Sequence, residues 1–410
     1  MKIAHRRARW TRAGLVCRSI GLSCLAVAGV GLAGCGGASS PKTVASLNTP
    51  LNTAFVLGGE SFAVLPMGRR SQPLTTFWQL FVRPARGGHW RLVTPPGVAD
   101  NGGLVVGSLP GRSPRLEVGF RASADLGFSP LAVSAVGRIG WAAAGVLPGS
   151  FADYPDSLAV TTTGRLALVG TAGGEVLSIR GGTGAKWSPL LTEHALAVSP
   201  AGRACRVEAL TAVALTLSGQ FVGAACGEGV AGIFVHRGTR SKGWTLVRLP
   251  LPRGMGGGPT RVLRLVVDGD GLGAAALLAG GPAMSTLVVA RTVTGLSGPW
   301  VASQPLVLGH GARLVSTSFG PATDVGVAWS TSAGGLRAAV GDAPGRGWEV
   351  LPSPPAGTAD LFVGPGTVID ALAVTSTVLT DWRLVRSRLG GEGWSVVQRL
   401  RVPIDLGSSG

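Results

Sequence analysis

The chain has 410 residues, 37 of them basic and 20 acidic, for a formal charge of +17, and 45% of its residues are apolar. That apolar share over this length supports a substantial core and excludes a wholly disordered polymer. The basic surface favours anionic partners, and the absence of any recognised nucleic-acid motif argues against DNA or RNA as the ligand.

Residues 1–34 have the three parts of an export signal. Lys2, Arg6, Arg7, Arg9, Arg12 and Arg18 form a basic start with no opposing acid. The apolar stretch 20–32 falls short of the roughly 20 residues that a bilayer-spanning helix needs, so it reads as a signal and not as an anchor. It ends in Leu32-Ala33-Gly34-Cys35, which resembles the lipobox of bacterial lipoproteins. The resemblance implies cleavage before Cys35, lipid on Cys35, and a mature protein held on the extracytoplasmic side of the cell membrane. The residues after Arg6-Arg7 do not continue a twin-arginine pattern. Cleavage removes six of the 37 basic residues and none of the 20 acids, leaving +11. Residues 35–53, rich in Gly, Ser, Thr and Pro, read as a lipidated flexible tether, 54–404 as the folded domain and 405–410 as a tail.

The folded domain repeats. Tryptophans recur at 90, 141, 187, 244, 300, 348 and 394, a spacing of about fifty residues. Most follow a glycine-containing turn, as in Gly87-Gly88-His89-Trp90 and Gly391-Glu392-Gly393-Trp394, and precede a short strand that closes near a proline. The clearer repeats parse into four short β runs separated by turn residues. In the fifth these runs are 261–267, 272–278, 285–290 and 300–303. In the sixth they are 312–318, 324–330, 335–341 and 348–351, and in the seventh 359–363, 368–375, 380–387 and 394–402. Amphipathic helical periodicity is not evident. Four-stranded units at this period predict an all-β fold, a seven-bladed β-propeller, with six or eight blades as alternatives because the second repeat is irregular. Each repeat tryptophan is expected to pin the outer strand onto its own blade, its indole N–H reaching a carbonyl.

The turn between third and fourth strands, best seen in Asp342-Ala343-Pro344-Gly345-Arg346-Gly347-Trp348, resembles a degenerate Asp-box of the sialidase-like propellers. This implies a fold. A sialidase-like glycoside hydrolase would need an arginine triad, a tyrosine nucleophile with a glutamate partner, and an acid. The one tyrosine, Tyr154, has no glutamate near it in sequence, so no catalytic residue is assigned and a divergent hydrolase stands as the alternative reading.

The main reading is a non-catalytic, membrane-tethered binding or scaffolding propeller. Its expected ligand face holds the blade-to-blade connections and second-to-third strand turns, carrying Arg69, Arg70, Asp153, Tyr154, Asp156, His194 and Arg253. Its expected partners are the membrane, through the lipid, and a protein or an anionic envelope polymer. No cofactor is implied, and the scattered histidines and the Asp268/Asp270 turn do not make a metal site. Cys205 and Cys226, which outlast the signal, are expected to form a disulfide outside the cytoplasm. A simple hairpin turning at Ser218-Gly219 would set Cys226 opposite a residue near 211, so the bridge needs Cys205 to fold back.

Overall fold

A computed structural model describes residues 52–403 except 69–75, 86, 96–103, 110–113, 121–127, 138–139, 149–154, 163, 170–173, 181–185, 217–218, 228, 238–242, 250, 256–257, 268–272, 282–284, 293–297, 321–323, 342–346, 366–367 and 387–391. Cys35, Arg69, Arg70, Asp153, Tyr154 and the Asp342 turn lie outside the described residues.

Among the described residues the chain makes seven successive antiparallel units of four strands, with one extra short strand, Leu306–Val307, paired to the third strand of the fifth unit. Unit I spans 52–92, II 104–148, III 155–192, IV 207–246, V 260–302, VI 313–350 and VII 358–401. Unit I shows the pattern: Asn52–Leu57, Glu60–Gly68, Thr76–Arg83 and Arg91–Leu92 pair in that order. Residues of alternating strand faces meet the units on either side, so the middle strands are apolar on both faces. Ala274–Gly280, the second strand of unit V, is buried at every position.

The first strands of most units pack side by side at the centre. Fourth strands sit at the rim, where Val301, Val350 and Val396 stay exposed. Two strand seams join units directly, besides a single bridge between Gly68 of unit I and Ser376 of unit VII. The first strands of units I and VI run parallel and hydrogen-bonded, Asn52 beside Ser316 and Phe55 beside Phe319. The second strand of IV meets the first of V at Cys226 and Thr260.

Burial is organised between units. Seven buried apolar clusters join consecutive units, I with II through VI with VII, and the last joins VII back to I. The ring therefore closes through packing, reinforced between VII and I by polar contacts that include the Gly68 N–H donating to the Ser376 carbonyl at 2.9 Å. Each repeat tryptophan lies in the cluster it shares with the preceding unit: Trp141 with I, Trp187 with II, Trp244 with III, Trp300 with IV, Trp348 with V and Trp394 with VI. Trp90 follows the same rule around the closure, packing on unit VII. The indole N–H of Trp141 donates to the Val93 carbonyl at 2.9 Å, Trp348 to Gln304 at 2.9 Å and Trp394 to Pro352 at 3.2 Å. Each acceptor lies three or four residues past the preceding repeat tryptophan. The expectation that these rings pin strands within one blade is thus corrected: they staple each unit to the one before it. Close approach makes a glycine necessary at one staple, because a Cβ on Gly341 would stand 2.9 Å from the Trp348 ring it pairs with.

The connection from III to IV departs from the all-strand reading. It holds two short helices, Glu193–Ala197 and Pro200–Cys205. Thr192 and Ser199 cap them by accepting from Ala195 N and Gly202 N, and Pro200 opens the second helix, where its missing N–H costs nothing. Arg206 turns left-handed, and the Cys205 and Cys226 sulfurs are joined, with their Cα atoms 5.1 Å apart. Cys226 faces Val207 and not a residue near 211, because the turn closes at Thr216 and Gly219 and two register shifts follow along the hairpin. Among the described residues no helix is long and apolar enough to cross a membrane.

Candidate functional site

In an antiparallel four-stranded unit the first and third turns lie at one end, while the middle turn and the links between units lie at the other. Of the residues expected to form a ligand face at the linking end, His194 is exposed on the first helix and Arg253 is exposed in the turn before unit V. Asp156 belongs to the strand Pro155–Val160 and not to a loop, and its side chain lies outside the described residues.

A cavity among the described residues lies at the other end, between units I and II. It has a volume of about 450 Å³ and an apolar floor that includes Phe62, Val82, Leu116 and Val136. Its wall on the unit II side is Trp141, partly exposed and fixed by its bond to Val93. Ser134 braces the turn beneath by donating to the Gly140 carbonyl at 2.7 Å. Thr94 is held in the sheet, accepting from Leu80 N at 2.9 Å and donating to Gln79 at 2.8 Å. Two charged groups remain at the mouth. Glu60 accepts from Gly137 N through Oε2 at 3.2 Å. The Arg91 side chain is exposed and, among the described residues, makes no ion pair or hydrogen bond. The cavity thus pairs a carboxylate acceptor and a guanidinium donor with a flat aromatic wall, a composition suited to binding a small ligand.

Three further polar clusters have buried acids. At the junction of units VII and I, the Arg83 guanidinium lies 4.9 Å from the Trp90 and Phe362 ring centroids. It bonds Asp370 and stands 3.5 Å from Asp381, while Arg383 holds Asp370 from the other side at 2.9 Å. Trp90 donates its indole N–H to Asp381 at 3.1 Å, and Gln398 bonds both the N–H and the carbonyl of Trp90. Burial, with Asp370 adding repulsion against the opposing pull of Arg83, Arg383 and the Trp90 bond, pushes the Asp381 carboxyl up to about 7. Asp370 and Asp381 are a close pair of acids, but their side chains are 0% and 2% exposed, so no substrate reaches them.

Near the centre, Arg264 donates to Thr317 at 3.1 Å, and Ser316 accepts from Leu361 N at 3.2 Å. Asp360 lies against Ser316 and within the field of Arg264, and burial holds its carboxyl well above the usual range. Burial also lowers Arg264 to about 10. Between units II and III, Arg165 pairs with the buried Glu117 at 2.6 Å, whose carboxyl burial raises despite that partner. Among the described residues no three His, Cys, Asp or Glu side chains gather as metal ligands.

No protein-family model matches the chain, and no curated protein sequence matches it. Solved structures do. A candidate 6-phosphogluconolactonase of Bacteroides uniformis superposes with a TM-score of 0.53 at 11% identity, over 84% of this chain and 97% of that one. The periplasmic gluconolactonase of Pseudomonas aeruginosa gives 0.53 at 14% identity, over 83% and 96%. A protein from Lactobacillus plantarum gives 0.50 at 13% identity, over 84% and 97%. At such identities the likeness is one of fold, and together with the ring of four-stranded units it identifies the chain as a β-propeller.

Proposed function

We propose that this chain is a seven-bladed propeller, tethered by lipid on Cys35 to the extracytoplasmic side of the membrane, that binds its ligand without transforming it. The observation that carries the binding reading is the groove between units I and II, where Glu60 and Arg91 stand at the mouth of an apolar cavity walled by Trp141. The unit count follows the seven tryptophans and the seven packed junctions. The tether rests on the Leu32-Ala33-Gly34-Cys35 pattern. The non-catalytic part is supported by the state of the acids among the described residues: Asp370 and Asp381, which gather, are enclosed, and Glu60 has no second described acid beside it in the groove lining.

The test places a photo-crosslinking amino acid at Leu92, which lines the groove at 38% exposure, and in a second strain at Val307, 69% exposed on the short strand that pairs with the third strand of unit V. Irradiation of intact cells should trap one species from Leu92 and not from Val307. No adduct from Leu92, or the same adducts from both positions, would remove the groove as the binding site.

A further inference from the structure

Resting on that reading of the groove, we infer that its ligand is an acidic saccharide, a sugar ring bearing a carboxylate. The repeat itself singles out one side chain. The residue immediately after the repeat tryptophan is Ala142, Ser188, Thr245, Val301, Glu349 or Ser395 in units II to VII, and Arg91 in unit I. A position that the fold leaves free to vary carries its only basic residue at the one junction where the cavity opens.

The chemistry of the three facing groups narrows the class. Trp141 cannot turn, because its N–H is committed to Val93, so it offers a fixed apolar plane. A pyranose has such a plane of its own in its axial C–H bonds, and packing one on the other removes apolar surface from water without stranding a polar atom. Glu60 spends Oε2 on Gly137 N and accepts only, so its remaining oxygen calls for O–H or N–H donors. Arg91 is a planar donor fork that fits a carboxylate through two bonds. Hydroxyl donors, a ring face and a carboxylate occur together in a uronic acid. The net charge of +11 left after cleavage before Cys35 draws such a ligand in, and about 450 Å³ lies in the range of small-molecule sites.

The experiment titrates the full-length protein in detergent with methyl glucuronide, methyl galacturonide and their neutral glucoside and galactoside counterparts, followed by saturation-transfer NMR and tryptophan fluorescence. At least one acidic sugar should bind about tenfold more tightly than its neutral twin. Arg91→Ala should erase that difference, Arg91→Lys should restore part of it, and Arg337→Ala, at an exposed site in unit VI, should leave it unchanged. Raising salt should weaken the acidic sugar only. Equal affinity for acidic and neutral sugars, or a preference that survives Arg91→Ala, overturns the inference. Failure of every sugar while Leu92 still crosslinks a partner in cells overturns the saccharide and leaves the binding groove standing. Failure of both overturns the two together.

Discussion

Asp381→Asn isolates the proton sensitivity of the ring closure. The carboxyl sits at about 7 in the fold against 3.8 when free. Below pH 3.8 it is protonated in both folded and unfolded chains. Between about 4 and 7 the unfolded chain gives up its proton while the folded chain keeps it, so this group's contribution falls as pH rises and is gone above about 7. A shift of roughly three pKa units at about 1.4 kcal/mol each is on the order of 4 kcal/mol. Glu117 and Asp360 are raised as well and act with the same sign. The native protein should therefore melt at a higher temperature at pH 5 than at pH 8.5. The asparagine keeps an oxygen for the Trp90 N–H but has no proton to lose. Its melting temperature at pH 5 should lie close to that of the native chain, and its decline towards pH 8.5 should be several degrees smaller. Near-ultraviolet circular dichroism across that range gives both curves. If the variant falls as steeply as the native protein, or if the native protein gains stability as pH rises, the assignment of the proton to Asp381 is wrong.

The staples predict a graded series. Trp90, 1% exposed, should cost about 3 to 5 kcal/mol on replacement by alanine, and the partly exposed Trp348 clearly less; equal losses in urea unfolding would reject the packing described. Joining Cys205 to Cys226 closes a 21-residue separation worth roughly 3 kcal/mol in the chain-entropy account. Two alkylatable thiols in exported, non-reduced protein would refute the bridge. Cys35→Ala should release the protein from membranes or leave it uncleaved, and unchanged size and membrane retention would sink the lipid anchor.

The units were legible because turns and tryptophans punctuate them locally. The expected run 261–267 is the strand Thr260–Val267, and 285–290 is Thr286–Thr292. What the spacing did not reveal was direction: equal intervals show that Trp141 and Trp348 are equivalent, but only the packing shows that each leans on the preceding unit. The two helices after unit III were missed although Thr192, Ser199 and Pro200 announce them, since five- and six-residue helices are too short to establish a 3.6-residue period. The groove was out of reach for another reason. Glu60, Arg91 and Trp141 come from three separate stretches, and only the misfit of Arg91 within the repeat marks the place. The Arg83 and Asp370 pair, 287 positions apart, leaves no trace in local pattern.

The backward reach of the staples sets an order of assembly. A chain leaves the ribosome N-terminus first, and units appear one after another. Trp141, Trp348 and Trp394 each find their carbonyl 42 to 48 residues upstream, in chain that has already emerged, so each new unit has a dock waiting. Trp90 alone among the staples with a described bond must wait, because Asp381 lies 291 residues downstream and emerges nearly last. The Trp90 ring thus stays uncovered until unit VII has been made, and completion of the circle is a late event in which units VI and VII both meet unit I. A chaperone that shields apolar surface would find its longest-lived target there.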